Sequence, residues 1–200
     1  VVGVAEETAS EAELVLERKT HYLRHVMRSH RLPEALVSRA CEYLSYKERL
    51  WGGVDTDLLR TLPEGIVADV MVYIAGGLLI QVPFLAHCNS LDDGFLATIA
   101  ARMVPSVFMP NESLIVHGTR VVELYFLTRG FALELWEGSA RKPLRRLCAS
   151  DVCGEFTMLS DQPSPVSVVA LTPCECFVLG QEAFRKVLAY FPSARSYIGS

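Results

Sequence analysis

The feature that most constrains this chain is a change of hydrophobic period near Pro105. Before it, apolar residues recur at helical spacing; after it, they alternate as in half-buried strands. Glu11 to Ser29 contains no proline or glycine and places Leu14, Leu16, Tyr22, Leu23, Val26 and Met27 loosely at helix spacing. Arg31-Leu32-Pro33-Glu34 then marks a boundary, with Pro33 suited to the first turn of a second helix over Glu34 to Leu44. Trp51-Gly52-Gly53 is a break, and Asp55 or Thr56 caps a short helix through Leu62. Pro63-Glu64 opens a long apolar helix to about Leu79. Leu91-Asp92-Asp93 begins another, with Phe95, Leu96, Ile99 and Met103 on one side.

Past Pro105 the predicted strands are Val107–Met109, Leu114–His117, Glu123–Thr128, Ala132–Glu137, Leu144–Leu147, Val166–Leu171 and Cys174–Leu179. Turn residues separate them: Pro110-Asn111, Gly118, Arg129-Gly130, Glu137-Gly138-Ser139 and Thr172-Pro173. Short strands at this spacing predict a jelly-roll-like β-barrel. Gln181 to Phe191 is helical again, and Ser193 to Ser200 could begin one more helix. The expected class is therefore α+β, with a helical region at 1–87 followed by a β-roll with flanking helices at 88–200.

Half the residues are hydrophobic and 21% are charged, which permits an ordinary packed core. A net charge of -4 gives no general reason to expect nucleic acid as a partner. The charge is unevenly placed: residues 1–13 carry four glutamates, while His21 to Arg31 carries Arg24, Arg28 and Arg31 with three histidines. His21 and His25 stand one helical turn apart, but no acidic residue is read on their face, so a solvated basic face is expected rather than a metal site.

The six cysteines lack framework or zinc-knuckle spacing. Cys174 and Cys176 would share one strand face and are expected to be buried, reduced thiols. The most apolar run, Ile66 to Cys88, is broken by Asp69, Gly76-Gly77, Gln81 and Pro83, which suits a buried helix followed by a turn better than a membrane span. The first ten residues do not resemble a signal peptide. No nucleophile elbow, zinc-protease helix or P-loop is present, so an enzyme is not expected.

Four stretches carry a family resemblance: Pro110-Asn111-Glu112-Ser113 followed by Gly118, Leu124-Tyr125-Phe126-Leu127-Thr128-Arg129-Gly130, Cys153-Gly154-Glu155, and Val166–Ala170. Together they resemble the cyclic-nucleotide-binding domain of catabolite activators, kinase regulatory subunits and gated channels. The first half narrows the choice. Leu32-Pro33, then Gly53-Val54-Asp55-Thr56-Asp57-Leu58-Leu59-Arg60-Thr61-Leu62-Pro63, then Val82-Pro83-Phe84-Leu85, is similar to the C-linker of the cyclic-nucleotide-gated, hyperpolarisation-activated and ether-à-go-go channels. That resemblance implies the cytoplasmic part of an integral membrane channel, a homotetramer assembled through the linker, and coupling to the pore domain of the same chain. Its rivals are a functional cAMP or cGMP sensor of such a channel, and a soluble cyclic-nucleotide-binding regulator.

The resemblance also implies a ligand rather than a cofactor, cAMP or cGMP. Its phosphate would sit on the amides of the short helix that Gly154, Glu155, Phe156 and Thr157 begin, with Glu155 holding the ribose hydroxyl. The family's next partners, an arginine followed by serine or threonine, fall on Ser164 and Pro165. Neither supplies charge, and losing a charge-assisted contact costs about 1.5–3 kcal/mol, or roughly ten- to a hundredfold in affinity. Asp161 would add repulsion, while Arg129, Arg141 or Arg145 could substitute if the fold delivers one. On the base side, Glu134 and Arg145 occupy positions that are apolar in the family. They could pair and fill the pocket, Glu134 could accept from an exocyclic amine of the base, or a shifted register could put one or both in solvent. Nucleotide binding is expected to be weak or lost.

Overall fold

The structure is a computed structural model, and it describes residues 2–50, 61–138, 141–160 and 162–198. The break at Trp51-Gly52-Gly53, most of the short helix expected to end at Leu62, and Asp161 lie outside the described residues. Two compact units divide between Leu58 and Leu59.

The first unit is a helical hairpin of α1 (Val2–Ser29) and α2 (Glu34–Leu50). Both run longer than their apolar spacing suggested, because no proline or glycine interrupts residues 4–32 or 34–50. The chain reverses at Arg31, which adopts φ 55°, while Leu32 N–H donates to Met27 O at 3.1 Å and closes the end of α1. Pro33 accepts from Leu36 and Val37 N–H, so α2 starts where its fixed φ permits. Among the described side chains of α2, Val37 and Cys41 are buried. Arg28 and Glu34 close the hairpin with a 2.6 Å ion pair, but both are mostly exposed, so it contributes little.

The second unit opens with α3 (Glu64–Leu79), α4 (Pro83–Leu91) and α5 (Phe95–Ala100). The helix α4 corrects the sequence reading, which treated Pro83 as the start of a turn. Val82 is extended and Pro83 is the first helical residue, where its missing N–H is harmless. The division expected at 87/88 falls within α4, between Leu85 and Cys88, both fully buried.

Among the described residues eight strands follow: β1 (Val104–Phe108), β2 (Ser113–Ile115), β3 (Glu123–Arg129), β4 (Ala132–Glu137), β5 (Arg141–Leu147), β6 (Val152–Cys153), β7 (Val166–Ala170) and β8 (Cys174–Gly180). Helix α6 (Glu155–Ser160) lies between β6 and β7, and α7 (Gln181–Tyr190) and α8 (Pro192–Ile198) close the described chain. The α+β class and the roll expected from period two are therefore present, with β6 added; at two residues it is too short to show any period.

The strands form two four-stranded antiparallel sheets, ordered β1-β8-β3-β6 and β2-β7-β4-β5. Their facing side chains make the core: Leu114, Ile115, Tyr125, Leu127, Ala132, Leu147, Cys153, Val168, Ala170, Cys174 and Cys176 among them. In β3 and β8 the alternate residues Leu124, Phe126, Phe177 and Leu179 are buried too, so this sheet is covered on both faces. Phe84 meets Phe184 edge-on, and Phe95 meets Phe191, tying α4, α5 and α7 together. Each fully buried side chain of this size contributes about 1.5–3 kcal/mol. Cys174 and Cys176 are buried as free thiols, as expected, and burial pushes Cys176 up to about 12.

Candidate functional site

Two tight constraints build the site. At the end of β6, Gly154 adopts φ +99°, and a Cβ there would lie 2.4 Å from Glu123 O. The fold thus demands glycine for its own packing, whatever binds nearby. Gly154 O accepts from Met158 N–H at 3.1 Å and from Thr157 Oγ1 at 3.0 Å, which starts α6. Thr157 is buried and its hydroxyl is spent on this bond, while Phe156 is 58% exposed.

Ser164, at the other end of the loop after α6, is 3% exposed and fully committed. Its N–H donates to Thr119 O at 2.9 Å, and its carbonyl accepts from Gly118 N–H at 2.8 Å. Its hydroxyl donates to Val166 O at 2.8 Å and accepts from Val166 N–H at 3.3 Å. The residue staples this loop to the Gly118 turn and bends the chain into β7. Half-buried Pro165 offers no donor at all.

Glu134 and Arg145 are direct cross-strand partners, and Glu134 also stands opposite Val168, a fully buried core residue. Opposed residues share a face, so Glu134 points into the roll. Its carboxylate accepts from Arg145 Nε at 2.5 Å, with Glu134 17% and Arg145 51% exposed. Arg145 Nη2 also donates to Val152 O at 3.3 Å, just upstream of Gly154. The two residues pair, with Glu134 turned into the roll and Arg145 half exposed to solvent.

Glu155 completes the group. Burial pushes its carboxyl up, Arg145 holds it down, and Glu134 pushes it up again. It makes no hydrogen bond with a described residue. Its charged form is thus disfavoured by burial, an effect only partly offset by Arg145. Burial holds the Cys153 thiol well above its ordinary range, so it stays neutral beside this cluster.

The substitute cations are sorted as well. Arg129 turns to Glu175 on β8, at 3.8 Å. Arg141 lies at the start of β5, and its side chain is outside the described residues. Arg145 is delivered to the site, but already paired.

Two hollows went unread in the sequence. One, about 720 Å³, opens beside α7 and is lined by Val104, Phe108, Glu123, Tyr125, Val178 and Lys186, among others. At its floor Tyr125 donates to Glu123 at 2.5 Å. Its lining is drawn from β1, β3, β8 and α7, a juxtaposition no local pattern reveals. The other, about 920 Å³, lies along the α1–α2 hairpin and gathers Glu17, Arg18, His21, Arg24, His25 and Ser45. Glu17 stands one turn before His21, so the face is not free of acid as read from the sequence. Still, no group of three His, Cys, Asp or Glu able to hold a metal occurs among the described residues. Among them, too, no helix is long and apolar enough to cross a membrane.

With this geometry in place, comparison with known proteins is informative. Residues 105–191 match the sequence profile of the cyclic nucleotide-binding domain. The chain is 32% identical over 156 residues to the probable cyclic nucleotide-gated ion channel 12 of Arabidopsis thaliana, covering 74% of this chain and 23% of that protein. It is 32% identical over 177 residues to the probable cyclic nucleotide-gated ion channel 10 of the same plant, covering 82% and 24%. To the human potassium/sodium hyperpolarization-activated cyclic nucleotide-gated channel 3 it is 26% identical over 181 residues, covering 90% and 22%. The chain thus spans about a quarter of the length of the curated relatives it matches. These relatives are named as ion channels, not as enzymes. Through residues 105–191, the chain belongs to the cyclic nucleotide-binding domain family, in the form carried by cyclic nucleotide-gated and hyperpolarization-activated channels.

Proposed function

We propose that this chain is the cytoplasmic regulatory and assembly region of a tetrameric cation channel, with cyclic-nucleotide binding weak or lost. In this reading α1 to α4 form the C-linker and the β-roll is its former or residual sensor. The linker meets the neighbouring subunit's, and the roll biases the gate of the pore domain in the same chain. The exposed apolar face of α3 (Ile66, Tyr73, Ile74, Ile80) suits such a contact, as does the basic face of α1 around Arg24 and Arg28.

The observation that carries the weak-binding reading is the state of Ser164 and Pro165. The first spends its hydroxyl and both backbone groups inside the fold, and the second has nothing to donate. A cyclic phosphate at this loop would meet no charge there, which costs roughly ten- to a hundredfold in affinity. One observation favours the rival reading of a working cAMP or cGMP sensor: the half-buried Glu155 at the start of α6, whose charged form burial disfavours and which makes no hydrogen bond with a described residue.

Thermal unfolding with and without millimolar cAMP or cGMP separates the two. A ligand at about 100 times its dissociation constant adds about 2.7 kcal/mol and several degrees to the midpoint. No shift with either nucleotide is expected. A clear shift with one of them overturns the weak-binding reading and makes the chain a sensor.

A further inference from the structure

The Glu134–Arg145 pair does something in the pocket that the Ser164–Pro165 loop does not account for. As a sheet contact alone it is a poor choice. Glu134 stands opposite fully buried Val168, where an apolar residue would pack without the cost of burying a carboxylate. Its partner is the one cation among those considered above that reaches the start of α6, through Val152 O. That cation is already committed: Glu134 accepts from its Nε at 2.5 Å, and Asp151 and Glu155 add weaker electrostatic attraction. The ion pair carries no net charge, so an incoming anion gains little from the one substitute arginine that reaches the site among the described residues.

We propose that Glu134 is the specificity-determining residue of this pocket, cancelling Arg145 and turning the site against anionic cyclic nucleotides in favour of uncharged, nucleoside-like ligands. The proposal rests on the reading that residues 105–191 hold the family's pocket. It adds that the arginine the pocket needs is present and masked.

Glu134→Gln tests it, since glutamine keeps the acceptor for Arg145 and nearly the same shape while removing the charge. Binding of cAMP and of adenosine to the 200-residue chain and to this variant is followed through the backbone amides of Gly154 to Thr157 by two-dimensional NMR. The variant is expected to bind cAMP at least about tenfold more tightly than the parent, with adenosine changed less than about twofold. Adding Arg145→Gln to Glu134→Gln is expected to erase the gain. If cAMP moves these amides in both proteins with equal affinity, the charge proposal falls and the pocket assignment stands. An equal gain for adenosine also overturns it, since the effect is then one of space. If millimolar cAMP moves these amides in neither protein, the proposal falls together with the assignment of the pocket.

Discussion

Replacing Gly154 by alanine separates what the fold requires from what a ligand would require. Two costs are visible. A φ of +99° in a residue with a side chain costs about 1–3 kcal/mol. The added Cβ would also stand 2.4 Å from Glu123 O. That oxygen belongs to the backbone of β3 and cannot swing aside, so β3 or the β6–α6 junction must shift, at about 1–3 kcal/mol. The sum is about 2–6 kcal/mol. For a unit the size of Leu59–Ser200, each kcal/mol lowers the midpoint by about 3–5 °C, so a fall of roughly 6 °C or more is expected without any ligand. Gly118 supplies the control. It too has positive φ, +74°, but nothing lies within 4 Å of its notional Cβ, so Gly118→Ala should cost only about 1–2 kcal/mol. Circular dichroism melts of both variants measure the difference. If Gly154→Ala costs no more than Gly118→Ala, the steric account is wrong and close approach of a ligand becomes the better reason for the glycine.

Three further outcomes are expected. Ser164→Ala removes the buried hydroxyl that bridges to Val166 and should cost about 1–2 kcal/mol in a denaturant melt, with or without nucleotide; a neutral result would mean the staple is carried by its backbone bonds alone. Glu155→Gln should raise the midpoint at pH 7. The folded state holds Glu155's proton more tightly than the unfolded chain, so the wild type loses stability as pH rises through the folded value, and the two proteins should converge below about pH 4. A variant less stable than wild type at pH 7 would contradict this. Tyr73→Asp, at a side chain 92% exposed on α3, should leave the melting midpoint unchanged but reduce self-association in concentrated samples by analytical ultracentrifugation. Equal mass distributions for the two proteins would remove α3 from the assembly face.

Legibility from the sequence followed the range of the forces involved. The bounds of β4, Ala132–Glu137, were readable because turn residues bracket it on both sides. The start of α3 was readable because Pro63 precedes a long apolar run. Helix α4 was missed because Pro83 signals both a turn and a first helical residue, and only the absence of a later breaker up to Leu91 separates the two. At the site, Ser164 and Pro165 could be found by counting back from a strand, but the burial of Ser164 depends on Gly118 and Thr119, far away in the chain. The pairing of Glu134 with Arg145 depends on register beside a bulge at Glu134/Leu135, which no local pattern fixes.

The staple at Ser164 also bears on the thermodynamics of any association at this pocket. Its four bonds hold the chain at Ser164, where it enters β7, in place before anything arrives. A guest there would find the wall already built and need not freeze it, so little conformational entropy would be lost at Ser164 on complex formation. Calorimetry should then record a heat-capacity change set by the guest's own apolar surface, without the larger signature of a segment that folds as it binds.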